Sequence, residues 1–426
     1  MIRLSELHPT TRRLVLTRAI RSVGQGVLVV DLTLYLLALG WNGFHIGLVL
    51  SAAGLIGAFL SLGVGIASDR IRRKPFLLVY ESIVLVSSVV VLLTAQHIIL
   101  SIAIIVAGFG RGANGAAGPF SPVEQAWLAE EVHPSRRGRI YSMNSAYGFF
   151  GMGFGALLAM LPEFIDKWMG NGHGVVTIQA IAYRPLFLIV TIATIVNLFI
   201  LAKAKETYKG TKEIRTRVPD QSEIDIKKQE NKKLTGLAIL NSFNGLAIGL
   251  TGPLISYWFA TKFGIGPASI APIMAATFFI TGISSLFTGK ISEKIGIVTS
   301  IVWARSFGLI LLILLPLSPY YWLASVIYIL RSALNRGSIG NRQALTVGLV
   351  RDKRRGFATS LNAMSSQLPQ SVGPSVSGFL FNMGELQIPF FVGAVLQGVY
   401  LVMYSRFFRD QNKPGTGIDN RETQRQ

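Results

Sequence analysis

The feature that most constrains this chain is the recurrence of apolar runs as long as "IGLVLSAAGLIGAFLSLGVGIAS", residues 46–68. A helix rises 1.5 Å per residue, so roughly 20 such residues cross a hydrocarbon core of about 30 Å. Residues 75–95, 98–118 and 186–202 have the same character, and about twelve such segments are spread over the 426 residues. In lipid every backbone N–H and C=O must be satisfied inside the protein, so runs of this kind cross as helices. Composition agrees: 50% of residues are hydrophobic and 15% charged, where a soluble domain has about a quarter charged. The polar N-terminus and the recurrence of the runs lead us to expect that none is a removable signal peptide. The chain has no cysteine, which excludes disulfides, thiolate metal sites and cysteine nucleophiles together.

The formal charge of +20 raises the question of nucleic acid, and the placement of the charge decides it. With the N-terminus in the cytoplasm, 31 Lys and Arg residues fall on that side and 3, Lys167, Arg184 and Lys262, on the other. The positive-inside rule then puts both termini in the cytoplasm. Basicity becomes a topology signal, with affinity for anionic lipid headgroups as a by-product. No basic face interleaved with aromatics remains once the helices are placed, so no nucleic-acid partner is expected.

A shift of about 220 residues lays the first half of the chain on the second. "GIASDR" (65–70) falls on "GKISEK" (289–294), and "EQAWLAEEVHPSRRGRIYSMN" (124–144) on "RQALTVGLVRDKRRGFATSLN" (342–362). The predicted architecture is all-α: twelve transmembrane helices in two pseudo-symmetric six-helix halves, residues 1–202 and 234–410. A charged cytoplasmic linker, 203–233, joins them, and a cytoplasmic tail covers 411–426. Repeated membrane halves are a common way to build a central site that opens to either side in turn.

Several motifs then resemble one family. Gly65, Asp69, Arg70, Arg73 and Lys74 are similar to the signature between the second and third helices of the major facilitator superfamily, with Arg72 where that pattern usually has glycine. "RGANGAAG" (111–118) resembles the family's fourth-helix signature, with Asn114 in the place of glutamine. "GMGFGA" (151–156) resembles the fifth-helix antiporter signature, with Met152 in the place of proline, and "GPSVSG" (373–378) is similar to that pattern in the eleventh helix. Gly151, Gly155, Gly373, Pro374 and Gly378 are therefore expected at helix-packing seams. The resemblance implies a secondary transporter of the cell membrane, multi-pass and functional as a monomer, nearest in motif pattern to drug/proton antiporters.

Small residues four apart, Ala53, Gly57, Ser61 and Gly65, with repeat partners Thr277, Thr281, Ser285 and Gly289, predict faces that admit a neighbouring helix closely. Where such a seam ends, Asp69 can sit against a helix N-terminus. In the resembling family that helix is the eleventh, and the contact would bias one access state. The basic residues after Asp69 either share in that switch or anchor the loop.

Intramembrane charge is costly and turns toward cavities or partners. In the resembling fold helices 1, 4, 7 and 10 line the central cavity, which places Asp31, Arg21, Arg111 and Arg331 on lining helices. Glu81 and Arg305 occupy equivalent positions on bracing helices and are expected to pair structurally. Asp31 is open to three roles: proton carrier, substrate contact or structural hydrogen bonding. Arg111 is its electrostatic counterweight or a fixed interhelical donor; helix rise puts the two about 10 Å apart in height. Gln25, Tyr35, Asn114, Asn241, Asn244, Tyr257 and Trp258 are further cavity candidates, each also able to stitch two helices together.

Enzyme readings fail on context. "GRGANG" (110–115) matches a dinucleotide fingerprint but follows no strand, and no Walker-type motif occurs. The five histidines are scattered without metal-ligand spacing. No metal, cofactor or catalytic residue is expected. Transport would draw on a gradient, and three substrate readings follow: proton-coupled export of drug-like or amphiphilic molecules, uptake or exchange of a small organic anion or other metabolite, and a receptor or lipid scramblase without accumulation.

Overall fold

The computed structural model describes residues 7–68, 72–110, 121–132, 137–170, 178–206, 221–337, 342 and 355–408. All regular structure among them is helical. One group comprises α1 (Pro9–Ala38), α2 (Gly43–Ser68), α3 (Arg73–Leu93), α4 (His97–Ala107), α5 (Ser121–Glu131), α6 (Arg137–Leu158), α7 (Leu161–Trp168) and α8 (Arg184–Ala202). The second comprises α9 (Gln221–Thr251), α10 (Ile255–Phe263), α11 (Pro267–Ile295), α12 (Ile297–Leu317), α13 (Tyr321–Gly337), α14 (Arg355–Asn382) and α15 (Ile388–Phe407). Nine stretches among the described residues are long and apolar enough to cross a membrane. The shorter or more polar α4, α13 and α14 pack among them. Phe59, Val86, Leu93, Ile102, Phe199 and Val395 are more than half exposed, as suits side chains that face lipid.

Backbone contact at glycine organises the packing. In the first half α6 lies on α1 so closely that a Cβ at Gly155 would stand 2.0 Å from the Val23 carbonyl oxygen, and one at Gly151 2.3 Å from that of Ala19. In the second half the equivalent pair is α14 on α9, where a Cβ at Gly373 would stand 2.1 Å from the Gly249 backbone. The halves meet by the same device: a Cβ at Gly47 would fall 2.2 Å from the Pro374 carbonyl oxygen, and one at Gly378 2.1 Å from that of Gly43. Small residues permit such approach where hydrophobic driving force between helices is absent.

The α2 face that meets α14 carries Gly43, Gly47 and Gly54, and at about 3.6 residues per turn Gly57, Ser61 and Gly65 continue that face. Three glycines offer no ridge at all, so that face admits a neighbour more closely. On α11 the equivalent Thr277 and Thr281 are buried and, with Ser285, return their hydroxyls to carbonyls of their own helix. A different face of α11 meets α6 through Phe279 and Gly282, against Phe149, Phe150, Gly153 and Phe154.

These cross-half contacts lie toward the end of the bundle away from the start of α1. There the Ser375 N–H donates to Ser51 Oγ at 2.9 Å, and the Ser256 hydroxyl donates to the Val29 carbonyl at 3.5 Å. Glu163 of α7 accepts from Lys167 at 3.0 Å with one oxygen, and with the other from the Ala268 N–H, 2.9 Å away in the first turn of α11. A carboxylate on a helix N-terminus contributes about 0.3 to 1 kcal/mol, and up to about 2 when partly buried. A carboxylate-to-helix contact between halves thus exists with Glu163 as the acid; Asp69, to which that role was assigned, lies outside the described residues.

Glu163→Gln should weaken this end of the seam. In a chain without native cysteine, a reporter at buried Ser256 should then react with a maleimide roughly two- to thirty-fold faster, the range that 0.3 to 2 kcal/mol corresponds to. An unchanged labelling rate would show that Glu163 does not hold the halves together.

Candidate functional site

Each half contains one polar cluster, and the repeat places the two at corresponding positions. In the first half, Arg21 of α1 reaches Glu81 of α3, Nε to Oε1 at 2.5 Å, and Glu124 of α5, Nη1 to Oε2 at 2.6 Å. Asn144 of α6 donates to the other Glu124 oxygen at 3.4 Å. All four side chains are buried. Arg18, buried one turn earlier on α1, is a second cation beside Glu124, and the adjoining cavity, lined by Arg21, Gln25 and Tyr80, has a volume of about 40 Å³.

In the second half the positions of Arg21, Glu81 and Glu124 are taken by Asn244, Arg305 and Arg342. The Arg305 guanidinium donates to Asn244 Oδ1 and stands 5.0 Å from the Tyr400 ring centroid. From α13, Arg331 donates to Thr251 Oγ1 at 3.3 Å and Arg336 to the Tyr328 hydroxyl at 3.5 Å. Thr251 is held at the cavity edge because Gly252 and Pro253 interrupt the helix between α9 and α10. The four arginines line a cavity of about 250 Å³ bounded by α9, α12, α13, α14 and α15. Among the described residues no Asp or Glu lines it.

The sequence-predicted residues divide accordingly. Asn241, Asn244 and Arg331 line the larger cavity, Asn241 donating to Asn362 at 2.7 Å. Arg21 and Gln25 line the small one, and Arg21 is an ion-paired structural cation rather than an open substrate contact, while Glu81 supplies its partner. Tyr35, Tyr257 and Trp258, expected at a cavity, line neither of these two. Tyr35 packs 5.0 Å from Phe187, Tyr257 stacks on Phe381 at 5.9 Å, and Trp258 sits among Phe259, Phe263 and Phe390 with its indole N–H on the Leu386 carbonyl. Aromatic side chains with one polar atom satisfied are well suited to a dry core.

Asp31 is buried on α1, lines neither cavity, and has no hydrogen-bond partner for either oxygen among the described residues. Asp69, Arg70, Arg111 and Asn114 lie outside those residues, and Gly65 lies in the last turn of α2. Arg73 and Lys74 anchor the loop within the first half. Lys74 donates to the Ala202 and Ala204 carbonyls at 2.7 and 2.9 Å, closing the end of α8, and Arg73 to Ala126 O at 3.1 Å. Glu206 in turn accepts from the Arg73 and Lys74 N–H groups at 2.6 and 3.1 Å, capping α3. Sequence reasoning left Glu206 within the linker and Arg336 and Arg342 unassigned; the repeat alignment of Glu124 with Arg342 was the available signal for the cavity.

Comparison with known proteins agrees with this architecture. The family model described as Major Facilitator Superfamily matches residues 14–232 and 237–426. The quinolone resistance protein NorA of Staphylococcus aureus is 22% identical over 402 residues, covering 92% of this chain and 95% of that one. Among solved structures, a bacterial homologue of the human lysosomal transporter Spinster, inward-facing and unoccupied, superposes with a TM-score of 0.69 at 14% identity, covering 95% of this chain and 98% of that one. The nucleoside transporter NupG does so with a TM-score of 0.66 at 14% identity, covering 94% and 99%.

Arg21→Met removes the ion-pair partner of two buried carboxylates and should cost about 3–5 kcal/mol, the usual penalty for breaking a buried ion pair. Adding Glu81→Gln and Glu124→Gln removes those charges and should recover most of the loss, read by thermal unfolding in detergent. Equal instability of the single and triple variants would contradict the ion-pair account.

Proposed function

This chain belongs to the Major Facilitator Superfamily of transporters, and from that premise we propose that it exports drug-like, amphiphilic small molecules across the cell membrane in exchange for protons. It is a multi-pass membrane transporter and not an enzyme. In this proposal twelve helices cross the membrane, both termini are cytoplasmic, and halves 1–202 and 234–410 rock about the linker 203–233, with 411–426 as a cytoplasmic tail.

The observation that supports alternating access is that the described contacts between the halves gather away from the basic end. Glycine contacts and the Glu163 latch join the halves away from the basic end, while the larger polar cavity lies among residues toward the basic end, such as Asn241, Arg336 and Tyr404. Proton exchange is supported by Asp31. A lone carboxylate in an apolar interior costs several kcal/mol unless it is paired or protonated. A rocking motion that wets and dries Asp31 would load and release a proton. The relatedness to a quinolone resistance protein favours drug-like cargo. Uptake or exchange of a small organic anion is the second reading, favoured by the arginine-lined cavity.

In proteoliposomes with an imposed pH gradient, a lipophilic cation or an amphiphilic anion should accumulate against its own gradient. Asp31→Asn should abolish the accumulation while substrate binding persists. Movement that ignores both the pH gradient and Asp31→Asn would overturn proton coupling and leave exchange of an anion as the better account.

A further inference from the structure

Two halves related by a repeat start from the same buried positions, yet they answer charge in opposite ways. In the first half an arginine at position 21 meets acids at 81 and 124. In the second, the acid positions carry Arg305 and Arg342, and the arginine position carries Asn244, whose amide oxygen already accepts from Arg305. Arg331 and Arg336 add two more cations, and among the described residues no acid lines the cavity they share.

The polar atoms left over there are chiefly donors. Among the described residues Arg305 Nε, Arg331 Nε, Arg336 Nη1 and Asn244 Nδ2 have no hydrogen-bond partner, and each of these side chains is at most 9% exposed. The Tyr400 and Tyr404 hydroxyls, on the α15 wall, also have no bond among the described residues. Buried donors without acceptors are costly to leave unmade, and intramembrane cations that face a cavity mark ligand pathways.

We infer that this cavity is an anion site, which takes the carboxylate, sulfonate or phosphate end of an amphiphilic ligand on Arg305, Arg331 and Arg336. Guanidinium groups suit this task because their planar forks match oxyanions in two-point hydrogen bonds. At about 250 Å³ the space is below the range of about 300–1,000 Å³ that encloses a drug-sized molecule. It fits the charged end of a ligand rather than the whole. The ligand anion here supplies what Glu81 and Glu124 supply in the first half. That the ligand is cargo rests on the transport proposal above; that the cavity prefers an anion does not.

The test is equilibrium fluorescence binding to the full chain in phosphatidylcholine nanodiscs, with empty discs subtracted. The matched probes are anilinonaphthalene sulfonate and neutral N-phenyl-1-naphthylamine, which share a ring system and differ by the anionic group. The sulfonate should bind at least about tenfold more tightly; Arg305→Gln and Arg331→Gln should each remove most of that preference, and Arg331→Lys should keep part of it. Binding of the two probes within about threefold in the native chain would overturn the inference without involving any variant. So would a preference that survives both Gln substitutions.

Replacing part of the lipid with phosphatidylglycerol separates two sources of the same chemistry. Loss of sulfonate binding there supports the site and names a lipid headgroup as its occupant, and retention supports the site with a soluble anion as occupant. Failure of the transport proposal is distinguishable, since absence of pH-driven accumulation with an intact sulfonate preference removes the exporter and leaves the anion site.

Discussion

A guanidinium buried between membrane helices has no water to turn to, so a charge must be answered from within the protein or by something the protein binds. This constraint organises the interior of the molecule. In the first half Arg21 is closed by Glu81 and Glu124 with Asn144 behind them, and the space around them shrinks to about 40 Å³. In the second half the same three positions hold one amide and two arginines, and the cavity widens to about 250 Å³. The first half pairs the buried Arg21 with two acids, while the second retains a positive, donor-rich space. Burying uncompensated charge lowers stability, and proteins tolerate such costs chiefly at functional sites.

The second constraint is the approach of backbones. Gly155 on α1 and Gly373 on α9 let each half form its tightest helix pair, and Gly43, Gly47 and Gly378 repeat the device between halves. Contacts at one end, with Glu163 against the start of α11, leave the polar cavity toward the other. Rigid pairs within halves and a small polar latch between them suit a molecule that rocks as two bodies rather than deforming continuously.

Much of this was legible in the chain, for identifiable reasons. Apolar runs of membrane length and a 220-residue repeat are properties of the linear sequence, and they led to an all-helical, two-half membrane fold. Glycines at 151, 155, 373 and 378 could be read as packing residues because a missing side chain has few other uses inside a helix. What resisted reading depended on rotation about helix axes. Trp258 and Tyr257 sit one residue from each other on a lining helix, yet both turn into aromatic packing. Arg21 looked like an open cation until α3 and α5 brought two acids to it. Glu206 and Glu163 act on helix N-termini far away in sequence, a pairing that no local spacing encodes.

The central claim, that the second half leaves its charge unanswered where the first half closes it, is tested most directly by Asn244→Asp. The change is nearly isosteric, keeps the oxygen that accepts from Arg305, removes an unbonded donor and adds the missing negative charge. Thermal unfolding of the purified chain should move to higher temperature, with weaker binding of anilinonaphthalene sulfonate. An Asn244→Asp protein that unfolds at the same or a lower temperature and binds the sulfonate as before would contradict the account.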